Sequence, residues 1–215
     1  MNKKRSIAIG EEILKRGLDF QWSANSRCDV DLETMKILKK AGARLLCVGV
    51  ESGDQKILDN MKKNITIERI KRFFNDAKEA GILIHACFLL GNPGETKETL
   101  EKTLKFAKEL NPDTAQIFPI MVYPGTEAFI WAEKKGYIQT NKFNEWLTKE
   151  GMHNCIVNKP NLTSEELVKF CDRARKEFYL RPNYIFSKGI QAFKDPFEMK
   201  RLIKGAYKLS RHIFQ

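Results

Sequence analysis

The sequence lacks any short cysteine or histidine motif that would build a metal centre from a single loop. Its five cysteines stand at positions 28, 47, 87, 155 and 171, so none lies within four residues of another. Local zinc and iron–sulfur motifs place cysteines about two to four residues apart, and no metal site is predicted. Scattered thiols of this kind are typical of reduced, buried cysteines, and a cytoplasmic location is expected.

Long apolar runs and compact basic tracts are also missing. No hydrophobic stretch approaches the ~18 residues of a membrane span, and the N-terminus has no signal-peptide pattern. The net charge is +11, from 38 basic and 27 acidic residues, but the lysines are spread along helices without interleaved aromatic residues. Nucleic acid is therefore not an expected partner. Peripheral membrane contact through the basic C-terminal helix is a weaker alternative to packing against a neighbouring domain.

What the sequence does contain is four repeats of an apolar strand followed by an amphipathic helix. The predicted strands span 18–26, 45–48, 82–90 and 114–122. Each helix that follows has apolar residues at three- and four-residue spacing. The length of 215 residues suffices for one α/β domain with a core and a small appendage. Successive parallel strands need crossovers that are nearly always right-handed, so all four carboxyl ends are predicted to share one edge.

Polar or glycine residues follow every predicted strand at that edge. They are Asn25 and Arg27, Glu51 and Ser52, Gly91 and Asn92, and Tyr123. Ligands of parallel α/β folds bind at the carboxyl ends of the strands, so the repetition favours a built site over four unrelated turns. Plainer interpretations stay open. Ser52 and Gln55 have the spacing of a capping box, Glu51 could cap the same helix, and Arg27 could pair with Asp29 or Asp31.

Beyond residue 136 the alternation of strands and helices lapses. We predict a core over 1–140, a connecting loop over 141–162 and a helical appendage over 163–215. Helices of the appendage are expected to begin at the capping pair Thr163 and Glu166, at Pro182 and at Asp195.

Four segments carry a family resemblance: WSANSRCD (22–29), GVESGDQKILDNMKKNIT (49–66), FLLGNPGET (88–96) and YPGTE (123–127). Their order and spacing resemble the radical SAM superfamily, in particular the type with a cobalamin-binding domain ahead of the radical SAM core. The resemblance implies an α/β fold with a partial parallel (β/α) barrel and a C-terminal helical appendage. The chain would supply the rear four units of a TIM-like barrel of six units.

The resemblance also implies an activity. A [4Fe-4S] cluster would cleave S-adenosylmethionine reductively to a 5′-deoxyadenosyl radical, or support cobalamin-dependent chemistry, on a small-molecule or lipid-like substrate. Glu51 matches the position that contacts the ribose of S-adenosylmethionine, with Ser52 beside it. Lys63 matches a basic position that pairs with the methionine carboxylate.

Further residues are placed near the cofactor by the same resemblance. Gly91 and Asn92 match a loop near the adenine, and Cys87 matches a ligand-facing strand position. Asn25 and Arg27 are expected at the edge of the site, and Tyr123 is expected as an aromatic wall of the pocket.

The chain departs from the family pattern because it has no CxxxCxxC segment. Since the three thiolates of that motif hold the cluster, the resemblance implies a chain that is inactive alone. N-terminal radical SAM and cobalamin-binding segments would have to complete it, and no catalytic residue is assigned. A non-catalytic SAM- or nucleotide-binding module is the alternative function. A phosphate-binding barrel of a different enzyme class is the third and least favoured hypothesis, because the turn at 91–96 has neither a Walker lysine nor the G-x-G-x-x-G spacing.

Overall fold

A computed structural model describes residues 2–146, 154–194, 199–200 and 203–205. Its strands are β1 (Trp22–Ser26), β2 (Ala43–Glu51), β3 (Leu83–Leu90) and β4 (Thr114–Pro119). Its helices are α1 (Lys3–Lys15), α2 (Leu32–Lys40), α3 (Gln55–Asn60), α4 (Ile67–Ala80), α5 (Lys97–Leu110), α6 (Glu127–Lys134), α7 (Ser164–Tyr179) and α8 (Pro182–Lys194). Within these ranges every helix is too short or too polar to span a bilayer.

The four strands form one parallel sheet in the order β1-β2-β3-β4. Because this order follows the chain, each helical crossover advances the chain by one strand, and all four carboxyl ends lie along one edge. The sheet is not closed, since β1 and β4 are its two edge strands. The predicted partial parallel (β/α) barrel is thereby confirmed.

The two faces of the sheet differ in burial. Leu46, Val48, Ile84 and Ala86 are buried in the core, on the side that carries α2 and α4. The residues between them in β2 and β3 are only partly buried, because strand side chains alternate between faces. We call this second side the open face, and it carries Asn25, Cys47, Gly49, Glu51, His85, Cys87, Thr114 and Gln116.

Four helices begin directly after a capping side chain, and the predicted start at Thr163 is confirmed among them. The side chains of Asp31, Thr66, Thr96 and Thr163 each accept a hydrogen bond from the backbone N–H three residues later. Such a cap satisfies one of the free donors of the first helical turn, which is why these starts could be predicted.

The capping box predicted at Ser52 and Gln55 is wrong. The helix begins at Gln55, and its cap is Asp54, whose carboxylate accepts from the N–H of Ile57. Ser52 is fully buried instead. Its hydroxyl lies 3.1 Å from that of Thr103 on α5 and accepts from the N–H of Asp54, so it is not available to the helix.

Two strands are shorter than predicted. β1 begins at Trp22 and not at residue 18, and Leu18 and Phe20 are about half exposed. β4 ends at Pro119 and not at residue 122, although the N–H of Ile120 still donates to the carbonyl of Leu90 (2.6 Å).

The outer edge of β4 is covered by α7 and α8. The Tyr179 hydroxyl accepts from the N–H of Ala115 (2.9 Å) and donates to its carbonyl (2.6 Å). Arg175 donates to the carbonyl of Ile117, and Tyr184 donates to that of Asp113. These bonds occupy backbone groups that an edge strand otherwise leaves free for another strand.

Domain boundaries near 140 and 163 stay a prediction. The helix predicted to begin at Asp195 falls mostly outside the described residues, of which 199–200 and 203–205 are helical.

Tyr179→Phe is expected to lower the free energy of unfolding by about 1–3 kcal/mol, because the N–H and carbonyl of Ala115 both lose their partner. Urea denaturation followed by circular dichroism measures the change. Tyr123→Phe is the matched control, since Tyr123 is 55% exposed, and it should leave stability unchanged. Equal stability of the two variants would show that the edge of β4 does not depend on this hydroxyl.

Candidate functional site

The carboxyl end of β2 turns sharply at Glu51. This residue has a φ of 69°, in the left-handed region that residues other than glycine seldom adopt. The register between β2 and β3 also shifts between Gly49 and Glu51, which is the signature of a bulge. Bulges and unusual backbone angles cluster where a protein must aim one side chain, and here the side chain is that of Glu51.

The Glu51 carboxylate is aimed at Lys63. The Lys63 Nζ lies 2.7 Å from Glu51 Oε1, and the side chains are 23% and 16% exposed. A Cβ added to Gly49 would lie 2.1 Å from Glu51 Oε1 and 2.9 Å from Lys63 Nζ. The pair therefore occupies the space that a side chain at Gly49 would fill. The role of this glycine is to leave room for the pair.

The backbone around Lys63 is fixed by its neighbours. Lys62 and Asn64 have φ values of 53° and 52°, so the chain bends on both sides of Lys63. The Arg27 guanidinium donates to the carbonyl of Lys63 (3.0 Å) and also pairs with Asp29 (3.2 Å). Arg27 is thus both the loop brace and the link between the end of β1 and the Glu51–Lys63 pair.

Contacts at the same edge join the loops that follow the other strands. The Asn60 amide donates to the carbonyl of Pro93 (3.0 Å), in the loop after β3. Lys62 pairs with Glu127 (2.6 Å), at the start of the helix after β4. The segment from Asn60 to Lys63 therefore connects the carboxyl ends of all four strands along one edge.

The loop after β3 is held from within by Glu95. The backbone N–H groups of Gly91 and Asn92 donate to Glu95 Oε2, and the Asn92 amide donates to the carbonyl of Leu89. Lys159 Nζ donates to the carbonyls of Asn92 (3.2 Å) and Glu95 (3.3 Å). Burial raises the pKa of Glu95 to about 7 and lowers the pKa of Lys159. These N–H groups and the Asn92 amide are thus engaged in the loop itself.

Three potential ligand atoms meet on the open face. Cys47 and Cys87 have their sulfur atoms 3.9 Å apart, and the ligand atoms of Cys47, His85 and Cys87 all lie within 4.8 Å of one another. Burial first, and the neighbouring Cys47 second, raise the pKa of the Cys87 thiol to about 12. The sequence had indicated Cys87 alone. The spacing of His85 and Cys87, two residues apart on one strand, was the available signal for the cluster.

The other predicted residues lie on β1, in the turn after β2 and in the loop after β4. Asn25 is on the open face, where it pairs in register with Cys47. Ser52 faces α5. Tyr123 follows β4, and its ring packs 6.3 Å from that of Trp146. The structure thus brings Glu51, Lys63 and Arg27 into contact, whereas Ser52 is turned into the core.

A match to a protein-family model shows to which family this arrangement belongs. The model of the radical SAM superfamily matches residues 2–107, a span that includes the Glu51–Lys63 pair and the cluster on the open face. Residues 2–107 of the chain belong to the radical SAM superfamily. The resemblance inferred from the four motifs is confirmed, and the chain is of an enzyme family.

Individual relatives agree with this membership. An uncharacterized methyltransferase of Pyrococcus horikoshii is 33% identical over 95% of this chain and 44% of its own length. An anaerobic magnesium-protoporphyrin IX monomethyl ester cyclase of Rubrivivax gelatinosus is 36% identical over 60% of this chain and 24% of its own length. The chain therefore spans less than half the length of these two relatives.

The solved structure of TsrM, a radical S-adenosylmethionine methyltransferase from Kitasatospora setae with cobalamin and a [4Fe-4S] cluster bound, has the same fold. It matches with a TM-score of 0.63 at 18% identity, over 82% of this chain and 41% of the TsrM chain. Identity at this level shows the fold alone. The fold of TsrM agrees with the open parallel sheet of this chain.

The cysteines of this chain do not fit the cluster of the radical SAM superfamily. Cys28, Cys155 and Cys171 are buried in the core. Cys47 and Cys87 meet on the open face with His85, and no third cysteine completes a group there among the described residues. A [4Fe-4S] cluster held by three thiolates is thus not built from the side chains of this chain.

Proposed function

We propose that this chain forms the S-adenosylmethionine-binding portion of a radical SAM catalytic domain. The observation that carries the proposal is the Glu51–Lys63 pair, which lies over Gly49 at the carboxyl edge of the sheet and beside the open face. An acid and a base held together at a strand end can serve a ligand that offers both hydroxyl groups and a carboxylate.

S-adenosylmethionine offers these two features. Its ribose hydroxyls suit the Glu51 carboxylate, and its methionine carboxylate suits the Lys63 ammonium, since charge-assisted hydrogen bonds are the stronger ones. Arg27 contributes by fixing the backbone of Lys63. When bound, this cofactor supplies either a methyl group for transfer or a radical that abstracts hydrogen. The protein side chains bind and orient it.

The substrate would lie against the open face. That face also carries the partly exposed Leu45 and Leu89 beside Asn25, Thr114 and Gln116, which suits a small molecule or a lipid-like metabolite. Methyltransferase and cyclase relatives that are more than twice as long support the proposal that other segments provide the cluster and a cobalamin-binding domain. The lack of cluster ligands in this chain favours the alternative, a non-catalytic SAM- or nucleotide-binding module.

Glu51→Gln is expected to weaken binding of S-adenosylmethionine by about 10–100-fold, because one hydrogen bond to a charged group contributes about 1.5–3 kcal/mol. Isothermal titration calorimetry of the purified chain measures the affinity. Lys62→Ala is the matched control, because Lys62 adjoins Lys63 but forms an exposed pair with Glu127. It should leave the affinity unchanged.

Gly49→Ala provides a second variant for the same titration. Its Cβ meets only the ends of two flexible side chains, so the pair should be displaced while the fold is retained. Binding of S-adenosylmethionine by both variants with the wild-type affinity would contradict the proposed site. Equal affinity of the wild type for ATP and for S-adenosylmethionine would favour the alternative of a nucleotide-binding module.

A further inference from the structure

The cluster on the open face is not used by the proposed binding of S-adenosylmethionine. Cys47 lies on β2, and His85 and Cys87 lie on β3, in the two central strands of the sheet. From their geometry we propose that Cys47, His85 and Cys87 form a site for one soft or borderline divalent metal ion of the Zn²⁺ type. The protein supplies three ligands, and the fourth position faces the open face.

The distances between the ligand atoms suit such an ion. Two thiolates at the usual Zn–S distance of about 2.3 Å in a tetrahedral site have sulfur atoms about 3.8 Å apart. The Cys47 and Cys87 sulfur atoms are 3.9 Å apart. The histidine nitrogen belongs to the same group, within 4.8 Å of both. Side-chain rotations alone are therefore needed to close the site around an ion.

The backbone holds these residues in place. Cys47 pairs directly with His85 in the parallel register, and Gly49 pairs with Cys87. His85 and Cys87 are two residues apart, so both side chains leave the strand on the same face. Ligands on neighbouring strands of a sheet are positioned more precisely than ligands on loops, which favours binding over a chance approach of thiols.

A second layer of polar groups orients the ligands. His85 Nδ1 lies 2.7 Å from the Thr114 hydroxyl oxygen on β4. When that hydroxyl accepts from Nδ1–H, the lone pair of Nε2 is free for a metal, as in most histidine ligands. While it is protonated, the Cys87 thiol donates to the side-chain oxygen of Gln116 (3.9 Å). Thr114 is thus a positioning residue for the imidazole.

The chemistry of the three ligands selects the kind of ion. Two thiolates and an imidazole suit zinc and similar soft or borderline ions, whereas magnesium and calcium prefer oxygen ligands. Two thiolates and a neutral imidazole also balance a divalent charge. Three protein ligands with one open position are the pattern of catalytic zinc sites. Water or a heteroatom of a substrate on the open face would occupy the fourth position.

Cobalt titration tests the site without any assay of activity. The reduced, chelator-treated chain is titrated with Co²⁺ under anaerobic conditions. We expect one equivalent to bind, with a thiolate-to-cobalt charge-transfer band and the visible bands of tetrahedral Co²⁺, and Zn²⁺ should displace it. Cys47→Ser and Cys87→Ser should abolish the charge-transfer band or halve its intensity. Thr114→Val should weaken binding by about 10–100-fold, as loss of an outer partner of a ligand does.

Cys171→Ala is the matched control, since Cys171 is a buried thiol on α7 and is not a member of the cluster. It should bind Co²⁺ as the wild type does. A folded, reduced wild-type chain that gives no charge-transfer band would overturn the proposal. So would retention of the full band by Cys87→Ser, or a Cys47–Cys87 disulfide whose reduction yields a chain that binds no metal. Binding of S-adenosylmethionine is measured separately, so the two proposals fail independently.

Discussion

Glu95→Ala is expected to lower the free energy of unfolding at pH 5 by about 3–5 kcal/mol. The Glu95 carboxyl is buried and accepts the N–H groups of Gly91 and Asn92. Alanine would leave these two buried donors without a partner, and each unsatisfied donor costs about 1–3 kcal/mol. Because the loop after β3 folds around this carboxyl, the loop should open locally before the rest of the domain unfolds.

The same carboxyl should make stability depend on pH. Burial raises the pKa of Glu95 from 4.5 to about 7, so between these values the folded chain binds a proton that the unfolded chain has released. This contribution to stability is fully present below pH 4.5 and is lost as the pH rises through about 7. The wild-type free energy of unfolding should fall by roughly 2–3 kcal/mol from pH 5 to pH 8 through this group.

Glu95→Gln separates the hydrogen bonds from the charge. Glutamine keeps an oxygen that accepts from the two N–H groups, so its cost at pH 5 should stay below about 1 kcal/mol. It cannot ionise, so the fall between pH 5 and pH 8 should disappear. Urea denaturation at both pH values measures the three proteins. A penalty for Glu95→Ala that is the same at pH 5 and pH 8 would contradict the role assigned to burial.

The succession of strands and helices along the chain could be predicted from the sequence because it depends on local patterns. β2 and β3 are nearly continuous apolar runs, and the long helices that follow them, α4 and α5, begin after the capping side chains of Thr66 and Thr96. The end of β4 is harder to place, because Pro119 belongs to the strand and the N–H of Ile120 still donates to the carbonyl of Leu90. Ser52 was misjudged because a buried neighbour on α5 competes for its hydroxyl.

The contacts of the candidate site could not be predicted in the same way. Glu51 and Lys63 were selected through the family resemblance, but their ion pair depends on a left-handed Glu51 that no sequence pattern marks. Lys159 reaches the loop at Glu95 across 64 residues. Cys47 approaches Cys87 only through the register of β2 with β3. Each contact is set by tertiary packing, which the separate segments do not encode.

Gly53→Ala is expected to lower the free energy of unfolding by about 3 kcal/mol, at the upper end of the usual cost of overpacking. Helix α5 crosses the turn after β2 so closely that a Cβ on Gly53 would lie 2.6 Å from Phe106 Cβ. It would also lie 2.9 Å from the carbonyl oxygen of Lys102 and 2.9 Å from Thr103 Cα. These atoms are in the helix backbone or attached to it, so relief requires α5 to move. That movement would break the bond from the Gly53 N–H to the Thr103 hydroxyl (2.9 Å).

Gly189→Ala is the control for this substitution, because a Cβ at that position of α8 meets nothing within 4 Å. It should stabilise the helix by about 0.5–1 kcal/mol, the usual difference between alanine and glycine. Urea denaturation compares the two variants with the wild type. Since the turn at Gly53 directly follows Glu51, Gly53→Ala should also weaken binding of S-adenosylmethionine. Wild-type stability and affinity in Gly53→Ala would show that α5 does not fix the turn that aims the Glu51 carboxylate.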